Sequence, residues 1–363
     1  MPKTNPSTRI DDQQQSGATP AKVPPRRGPR TTAKRTPLPG LPEAAAAAAP
    51  RKPSELAEIV GDGLAAFKGI IIPTDAQMTA VRQMDSLRIM GLRQPEGQQR
   101  RAYRYLNESG AGKSTCALIL KQHIAGQADR DPAMKPVLHV TLSTTGTPKS
   151  LASSILDALG DNYSTRGEAE LLLRRVRHGL KEFGVELLII DELNHFRFKS
   201  LAKDAANTLK NILTQGWVPI VMMGTTDAQS LFAENRELKN RCAPQVVLSP
   251  YDVEDQDGDL ARWIGFLGRL DAEIKGRDIL PSLSGLDDPD LAEDLCRCSN
   301  GLIGELHNIL LAALEQTLLA GEDHIGQQRL VDAVDAWCIQ DGTIDRNYVK
   351  LRHAETKRLA KRR

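Results

Sequence analysis

Two stretches decide the fold: residues 107–115, which read N-E-S-G-A-G-K-S-T, and residues 185–192, which read V-E-L-L-I-I-D-E. The first is a glycine-rich turn of the kind whose backbone N–H groups surround phosphate oxygens at a helix N-terminus. The second is an apolar run that ends in two carboxylates, as expected of a buried strand that delivers them to one edge of a sheet. Together they predict a nucleoside triphosphate site on an α/β fold.

The predicted nucleotide site assigns a role to each polar group. Lys113 would reach the β- and γ-phosphates and the Ser114 hydroxyl would contact Mg²⁺. Asp191 would hold Mg²⁺ through water, and Glu192 would polarise the attacking water, so we expect ATP hydrolysis and not binding alone. The candidate nucleotide contacts of the loop are Asn107, Glu108, Ser109, Gly110, Ala111, Gly112, Lys113, Ser114 and Thr115.

The loop departs from the pattern G-x-x-x-x-G-K-[ST] at one position, because Asn107 stands where the first glycine is expected. Asparagine tolerates a left-handed backbone better than most residues, so we expect the loop to close. A strand-like segment at 102–106 precedes the loop and a helix-like segment at 116–124 follows it, which is the context that a phosphate loop requires. A glycine-rich turn that binds nothing is the alternative.

Length and composition indicate a soluble globular protein. A chain of 363 residues with 40% apolar residues can hold two or three domains, each with a core. Five irregularly spaced cysteines and the lack of an apolar N-terminal signal favour a reducing, cytoplasmic compartment. Cys296 and Cys298 are interpreted as partly buried thiols and not as a metal site with His307. No apolar run approaches the roughly 20 residues that span a bilayer, so no membrane is expected.

The net charge of +2 conceals a polarised distribution. Residues 1–54 carry ten Lys and Arg against three acidic residues, a net of +7, and residues 350–363 carry seven against one, a net of +6. The remaining 55–349 carries 31 basic and 42 acidic residues, a net of −11. The basic charge therefore lies in the two ends of the chain.

The first 54 residues are predicted to be a disordered basic tail. They contain 11 of the 21 prolines and an alanine tract at 44–49, with little apolar surface to bury. The basic residues at 26–30 and 34–35 suit contact with a phosphate backbone or a narrow minor groove. A solubilising linker is an equal alternative, and a transit peptide is disfavoured by Asp11 and Asp12.

Periodic patterns begin at residue 55. The extended segment 69–74 contains Ile71 to Pro73, which are candidate adenine contacts or an ordinary core edge. Apolar strands alternate with helices, which predicts a parallel five-stranded sheet buried on both faces, with strands at 102–106, 136–142, 185–190, 218–223 and 245–248. Four helices are predicted after the last strand, and together they would form a small lid. They lie at 260–270, 289–298, 303–319 and 327–338. The predicted domains are the tail 1–54, the α/β core 55–250, the lid 251–340 and a basic C-terminal tail 341–363.

The order of motifs resembles an AAA+ ATPase, and specifically the TniB branch of mobile-element ATPases with its relative TnsC. The resemblance covers roughly residues 55–335. Its more specific parts are L-L-I-I-D-E-L-N-H-F at 187–196, the G-T turn at 224–225 and S-N-G-L-I-G at 299–304. It implies a P-loop AAA+ core followed by an α-helical lid.

The resemblance also implies further site residues. Thr225 or Thr226 takes the position of sensor 1, the polar group beside the γ-phosphate, unless the pair merely caps a helix. Arg241 matches the arginine finger that one subunit offers to its neighbour's γ-phosphate, with Arg236 as second choice and a solvated surface arginine as the alternative. The sensor 2 arginine of many AAA+ lids is missing, since Glu305 stands there; Arg297 is a weak substitute, or lid coupling is reduced.

The function implied is regulation of DNA transposition. An ATP-bound homo-oligomer, a ring or a helical filament, would assemble on double-stranded DNA through backbone contacts, and would recruit or activate a DDE transposase. A target-selection adaptor is a further candidate partner. Lys149, Arg174, Arg175 and Arg177 are candidates for a DNA-contacting surface, or else a solvated helix face. Two alternatives are a DNA-independent nucleotide switch that binds protein partners, and a helicase loader or initiator, for which a helix-turn-helix after the lid would be expected.

Overall fold

The computed structural model describes residues 53–127, 130–143, 146–195, 199–255 and 258–360. Nearly all of the predicted N-terminal tail, residues 1–52, lies outside the described residues. So does Phe196, the last residue of the stretch 187–196, which contains the Walker B motif with its carboxylates Asp191 and Glu192. The described residues form an α/β part followed by a helical part.

Four short parallel strands form the sheet of the α/β part. They are β1 (Ala102–Leu106), β2 (Val137–Thr141), β3 (Leu187–Asp191) and β4 (Ile220–Gly224), in the order β1-β4-β3-β2. Every residue of β3 and β4 is buried, because these central strands are apolar on both faces. The sequence predicted all four within two residues at either end.

Helices cover both faces of this sheet. One face is packed by α2 (Asp75–Arg93) and α3 (Lys113–Ala125), against Leu187 and Ile189 of β3. The other face, with Leu188 and Ile190, is packed by α4 (Pro148–Leu159), α5 (Ala169–Glu182), α6 (Lys199–Thr214), α7 (Gln229–Glu234) and α8 (Arg236–Arg241). Successive strand residues therefore feed two separate cores, as the period of two in a strand requires.

The sheet has four strands and not the predicted five. Segment 245–248 lies along β1, where Val246 N donates to Arg104 O at 2.9 Å, but it forms no regular strand. Side chains take the positions that backbone groups would occupy in a ladder: Gln245 Nε2 donates to Leu106 O at 2.8 Å, and Leu248 N donates to Asn107 Oδ1 at 2.8 Å. The prediction failed because these bonds join residues about 140 positions apart in the chain.

The helical lid follows the sheet and has a core of its own. It comprises α9 (Asp259–Gly276), α10 (Pro289–Cys298), α11 (Ile303–Ala320), α12 (Gln327–Val334) and a π-helical turn, Asp335–Ile339. The first helix of the chain, α1 (Pro53–Lys68), adds Val60 and Phe67 to this core. Cys296 and Cys298 lie in it, and burial raises the pKa of their thiols to about 12 and about 11.

The segment predicted as a basic C-terminal tail, 341–363, contains a docked helix, α13 (Tyr348–Ala360). Arg352 Nε donates to the buried Asp294 Oδ2 of α10 at 2.5 Å, and Lys350 Nζ donates to Asp335 Oδ2 at 2.7 Å. These basic residues therefore hold the helix on the lid. In the part of the chain that the structure describes, no helix is both long and apolar enough to cross a membrane.

One buried carboxylate organises the loop between α9 and α10. Asp271 is 2% exposed and accepts hydrogen bonds from the backbone N–H groups of Ser284, Gly285 and Leu286, at 2.7–3.3 Å. The carboxylate thus satisfies the N–H of the buried Leu286, and it fixes the turn through the N–H groups of Ser284 and Gly285.

We expect Asp271→Ala to lower the free energy of unfolding by about 2–4 kcal/mol, because it removes a buried carboxylate that holds three backbone N–H groups, one of them on the buried Leu286. Urea denaturation followed by circular dichroism measures this loss. The exposed Asp62→Ala of α1 is the control and should change stability by no more than about 0.5 kcal/mol. Equal stabilities of the two variants would contradict the role given to Asp271.

Candidate nucleotide site

The phosphate loop lies between the end of β1 and the start of α3. Gly110 and Gly112 have left-handed φ angles of 79° and 83°, which favour glycine. Gly112 is the N-cap of α3, so the free N–H groups of the first helical turn face the loop. A helix N-terminus whose free N–H groups face a glycine-rich loop in this way can bind an anion such as phosphate.

A glutamine of α2 holds the loop from one side. Gln77 Nε2 donates to Gly112 O at 3.3 Å, and a Cβ on Gly112 would lie 2.2 Å from that nitrogen. Gln77 is fixed in turn by a capping box with Thr74, in which each side chain bonds the other's backbone N–H, at 3.0 and 3.2 Å. The sequence shows Thr74 and Gln77 at capping-box spacing, but nothing in it indicates the contact with Gly112.

Asn107 acts through its side chain and not through a left-handed backbone. Its φ angle is not among the positive values of the described residues. Its Nδ2 donates to Val246 O at 3.3 Å and its Oδ1 accepts from Leu248 N at 2.8 Å. The reason proposed from sequence for tolerating asparagine at this position was therefore wrong: the amide links the start of the loop to segment 245–248.

Lys113 is buried inside the loop. Its Nζ donates to Asn107 O at 2.9 Å and to Glu108 O at 2.7 Å. Burial lowers the pKa of Lys113, although the nearby carboxylates of Asp191, Glu192 and Glu108 oppose the shift. The ammonium group is therefore positioned by the backbone of the same loop that would surround the phosphates.

The two predicted Mg²⁺ contacts lie side by side. Ser114 Oγ donates to Asp191 Oδ2 at 2.7 Å, and both groups offer the hard oxygen ligands that Mg²⁺ prefers. Burial acts to raise the pKa of Asp191, but bonds from His139, Ser114 and the Glu192 N–H outweigh it, so the pKa lies below its usual range. These residues fit a magnesium ion that takes its other ligands from water and phosphate oxygens.

His139 is a site residue that sequence reasoning missed. It lies on β2, and its Nε2 is 3.2 Å from Asp191 Oδ2. The parallel register of β2 and β3 explains the approach, since Thr141 pairs with Asp191 and His139 with Ile189. Its position in an apolar strand was the only available signal, and it pointed to an ordinary strand residue.

Glu192 has a left-handed backbone, with a φ of 63°, and its carboxylate is bonded by Asn194. Asn194 Nδ2 donates to Glu192 Oε2 at 3.0 Å, and Asn194 Oδ1 accepts from Thr225 N at 3.4 Å. The structure therefore links Glu192 to the loop after β4 through one amide side chain. Thr225 is half-buried at this link, whereas Thr226 is exposed.

An open cleft of about 500 Å³ joins the phosphate loop to the lid. This volume is within the usual range for small-ligand sites. Of the candidate adenine contacts, Ile71 and Ile72 line the cleft and Pro73 does not. The other lining residues include Lys113, Ser114, Thr115, Leu118, Glu192, Phe266, Leu270, Glu305 and His307.

The predicted arginine fingers lie away from this cleft. Arg241 is the last residue of α8 and is half-buried, and its Nε has no hydrogen-bond partner among the described residues. Arg236 opens the same helix and is exposed. Neither residue lines the cleft of its own chain.

Solved structures of a Cdc6p protein and of an ORC1 protein have a similar architecture. The Cdc6p protein of Pyrobaculum aerophilum matches with a TM-score of 0.56 and 16% identity, over 75% of this chain and 70% of that chain. The ORC1 protein of Aeropyrum pernix, solved in complex with DNA, matches with a TM-score of 0.54 and 15% identity, over 74% and 68%. At such identities the likeness shows the fold, and it confirms the predicted AAA+ core with a parallel sheet and a helical part.

A comparison with protein families shows which AAA+ family this chain resembles. Residues 72–251 match the family described as Bacterial TniB protein. The chain is a TniB-like AAA+ protein. No curated protein matches its sequence.

The lid of this TniB-like protein offers no arginine at the sensor 2 position. Gly304 and Glu305 lie in the first turn of α11, beside the phosphate loop. Glu305 Oε2 accepts a hydrogen bond from Trp337 Nε1 at 2.9 Å. Arg297, the weak substitute suggested by the sequence, bonds Glu254 and Glu293 and does not line the cleft.

The three arginines of α5 all contact other groups of this TniB-like protein, although Arg174 and Arg177 are exposed. Arg175 forms an ion pair with Asp161 and donates to the backbone carbonyl of Tyr163, which fixes the loop before the helix. Arg174 pairs with a glutamate one turn earlier, and the Arg177 guanidinium lies 5.7 Å from the ring centroid of Trp217. Of the four candidate DNA contacts, Lys149 at the start of α4 is exposed, as are Arg174 and Arg177, whereas Arg175 is half-buried.

We expect Asn107→Gly, which restores the loop's usual first residue, to reduce the free energy of unfolding by about 1–3 kcal/mol, because it removes two hydrogen bonds to segment 245–248. Thermal or urea denaturation measures the change. Asn162→Gly, in an exposed turn, is the matched control and should be nearly neutral. A gain in stability from Asn107→Gly would show that the asparagine side chain contributes nothing there.

Proposed function

We propose that this chain is an ATP-dependent regulator of DNA transposition. In its ATP-bound form it assembles on target duplex DNA and recruits or activates a DDE transposase. The observation that supports the proposal is the match of residues 72–251 to the TniB family, together with a nucleotide cleft formed by the same residues and the lid.

ATP hydrolysis is the reaction proposed for the cleft. Lys113 and the loop N–H groups bind the phosphates, and Ser114 and Asp191 hold Mg²⁺, which neutralises charge on the transferred phosphoryl group. Glu192 polarises the attacking water, and Thr225 contributes a polar group from the neighbouring strand. Support for the role of Glu192 comes from its place in the cleft and from the Asn194 amide that orients its carboxylate.

A second subunit would complete this site. Arg241 lies on α8 and outside its own cleft, which fits a cation offered to the γ-phosphate bound by a neighbour. Hydrolysis would then depend on assembly, and loss of the γ-phosphate would weaken the contact between subunits. Arg236, exposed on the same helix, is the second candidate.

We expect Glu192→Gln to retain ATP affinity within about twofold and to lower kcat by about 10² or more, since only the water-polarising group changes. Isothermal titration measures binding, and phosphate release measures turnover. The exposed Glu58→Gln of α1 is the control and should match the wild type in both assays. Loss of ATP binding in Glu192→Gln would contradict the role assigned to the carboxylate.

The acidic charge of the body places a constraint on DNA binding. Residues 55–349 carry a net charge of −11, and Arg175 and Arg177 are engaged in contacts within the chain. We therefore assign much of the affinity for the DNA backbone to the N-terminal segment 1–54, with a net charge of +7. Such contacts are independent of sequence and weaken as salt increases.

The test is sedimentation of the purified protein with ATP or a non-hydrolysable analogue, with and without random-sequence duplex DNA, at low and moderate salt. We expect large assemblies that require both nucleotide and duplex. Deleting residues 1–54 should lower DNA affinity about tenfold or more, through lost counterion release, while basal ATPase activity is preserved. An unchanged DNA affinity would show that the segment is a linker.

The net negative charge of the body also favours a second function, a DNA-independent nucleotide switch that binds protein partners. The same sedimentation experiment separates the two. Assembly that responds to ATP and ignores duplex DNA would reject the transposition proposal in its DNA-binding form and support the switch.

A further inference from the structure

The lid meets the phosphate loop through two glycines. Gly304, the second residue of α11, donates its backbone N–H to Gly110 O at 2.9 Å. A Cβ on Gly304 would lie 2.5 Å from Gly110 Cα and 3.0 Å from Gly110 O. Since Gly304 has no positive φ, its glycine is explained by close approach and not by backbone conformation. No side chain fits at this point of the lid unless lid and loop separate.

This contact sets the orientation of one peptide plane in the loop. The C=O and N–H groups of a trans peptide point in opposite directions. With its carbonyl bound to the lid, the Gly110–Ala111 peptide turns the Ala111 N–H towards the interior of the loop, where it donates to Glu108 O at 3.3 Å. When a nucleotide binds, a phosphate oxygen would replace Glu108 O as the acceptor of this N–H, which lies beside the N-terminus of α3.

We propose that Gly304 is a positioning residue for the nucleotide, and that the lid presets the phosphate loop through this backbone contact in place of a sensor 2 side chain. The inference rests on the proposed function, because it assumes that the cleft binds ATP. Nucleotide and lid are then coupled in both directions: phosphates bound to the loop stabilise the docked lid, and a displaced lid weakens phosphate binding.

The coupling between nucleotide binding and lid position can be followed by tryptophan fluorescence, because the residue after Gly304 bonds a tryptophan. Glu305 is bonded by Trp337 of the π-helical turn, and Trp337 is 39% exposed. Displacing the first turn of α11 would break that bond and change the surroundings of the indole. Trp263 is fully buried in the lid core, so Trp337 fluorescence can be read in a Trp217→Phe background, with Trp263 as a constant internal signal.

The experiment compares Gly304→Ala with Gly265→Ala. Both place a methyl group on a lid helix, but a Cβ on Gly265 meets nothing within 4 Å. Alanine favours a helix over glycine at both positions, so helix propensity does not distinguish them. We expect Gly304→Ala to weaken ATP and ADP binding about tenfold or more, and to shift Trp337 emission, because one oriented N–H donor is lost. Gly265→Ala should bind both nucleotides as the wild type does.

A second measurement needs no variant. In the wild type, adding ADP should slow hydrogen exchange of the backbone amides at 303–308, because docking of the lid and binding of the phosphates support each other. Unchanged exchange, or nucleotide binding by a folded Gly304→Ala within twofold of the wild type, would overturn the inference and leave ATP binding intact. A wild type that binds neither ATP nor ADP would instead reject the proposed function, and the inference with it.

Discussion

Two elements contact the phosphate loop closely, and each contact requires a residue without a side chain, Gly112 in the loop itself and Gly304 in the lid. On one side Gln77 of α2 occupies the space that a Cβ of Gly112 would need, and on the other Gly304 of the lid lies against Gly110. Two carbonyl groups of the loop thereby receive hydrogen bonds from two separate elements. The position of α2 and the docking of the lid both follow from this closely packed turn, and so does the cleft between them.

The Walker B carboxylates depend on a second local constraint. Glu192 has a left-handed backbone, which costs a non-glycine residue about 1–3 kcal/mol. Bonds from the Glu192 N–H to Asp191 Oδ1 and from the His195 N–H to Glu192 O oppose that cost. The turn directs the Asp191 carboxylate towards Ser114 and places Glu192 in the cleft. The two adjacent carboxylates therefore face different partners. Because Asn194 bonds both Thr225 N and Glu192 Oε2, a movement of the loop after β4 would change the position of the Glu192 carboxylate.

The sequence predicted the features that local patterns determine. Apolar runs predicted β1 to β4, the loop motif predicted the start of α3, and helical periodicity predicted the lid. It did not predict contacts between distant residues: Gln77 with Gly112 across 35 positions, or Asn107 with Leu248 across 141. The fifth strand failed for the same reason, because only the folded chain shows that amide side chains take over the hydrogen bonds of that edge. Gly304 looked like the start of a lid helix, and its contact with the loop had no local signal.

The charges around the cleft explain why assembly and hydrolysis would be linked. Among the described residues that line it, Lys68 and Lys113 are the cations, and Glu192 and Glu305 are opposing carboxylates. A triphosphate with one Mg²⁺ keeps negative charge, and charge redistributes on the transferred group as the bond to it breaks. Among the described residues of α9 and α11 that line the cleft, none is an arginine or a lysine. On the proposed function, the missing cation comes from Arg241 of a second copy, and a solitary subunit would bind ATP but hydrolyse it slowly.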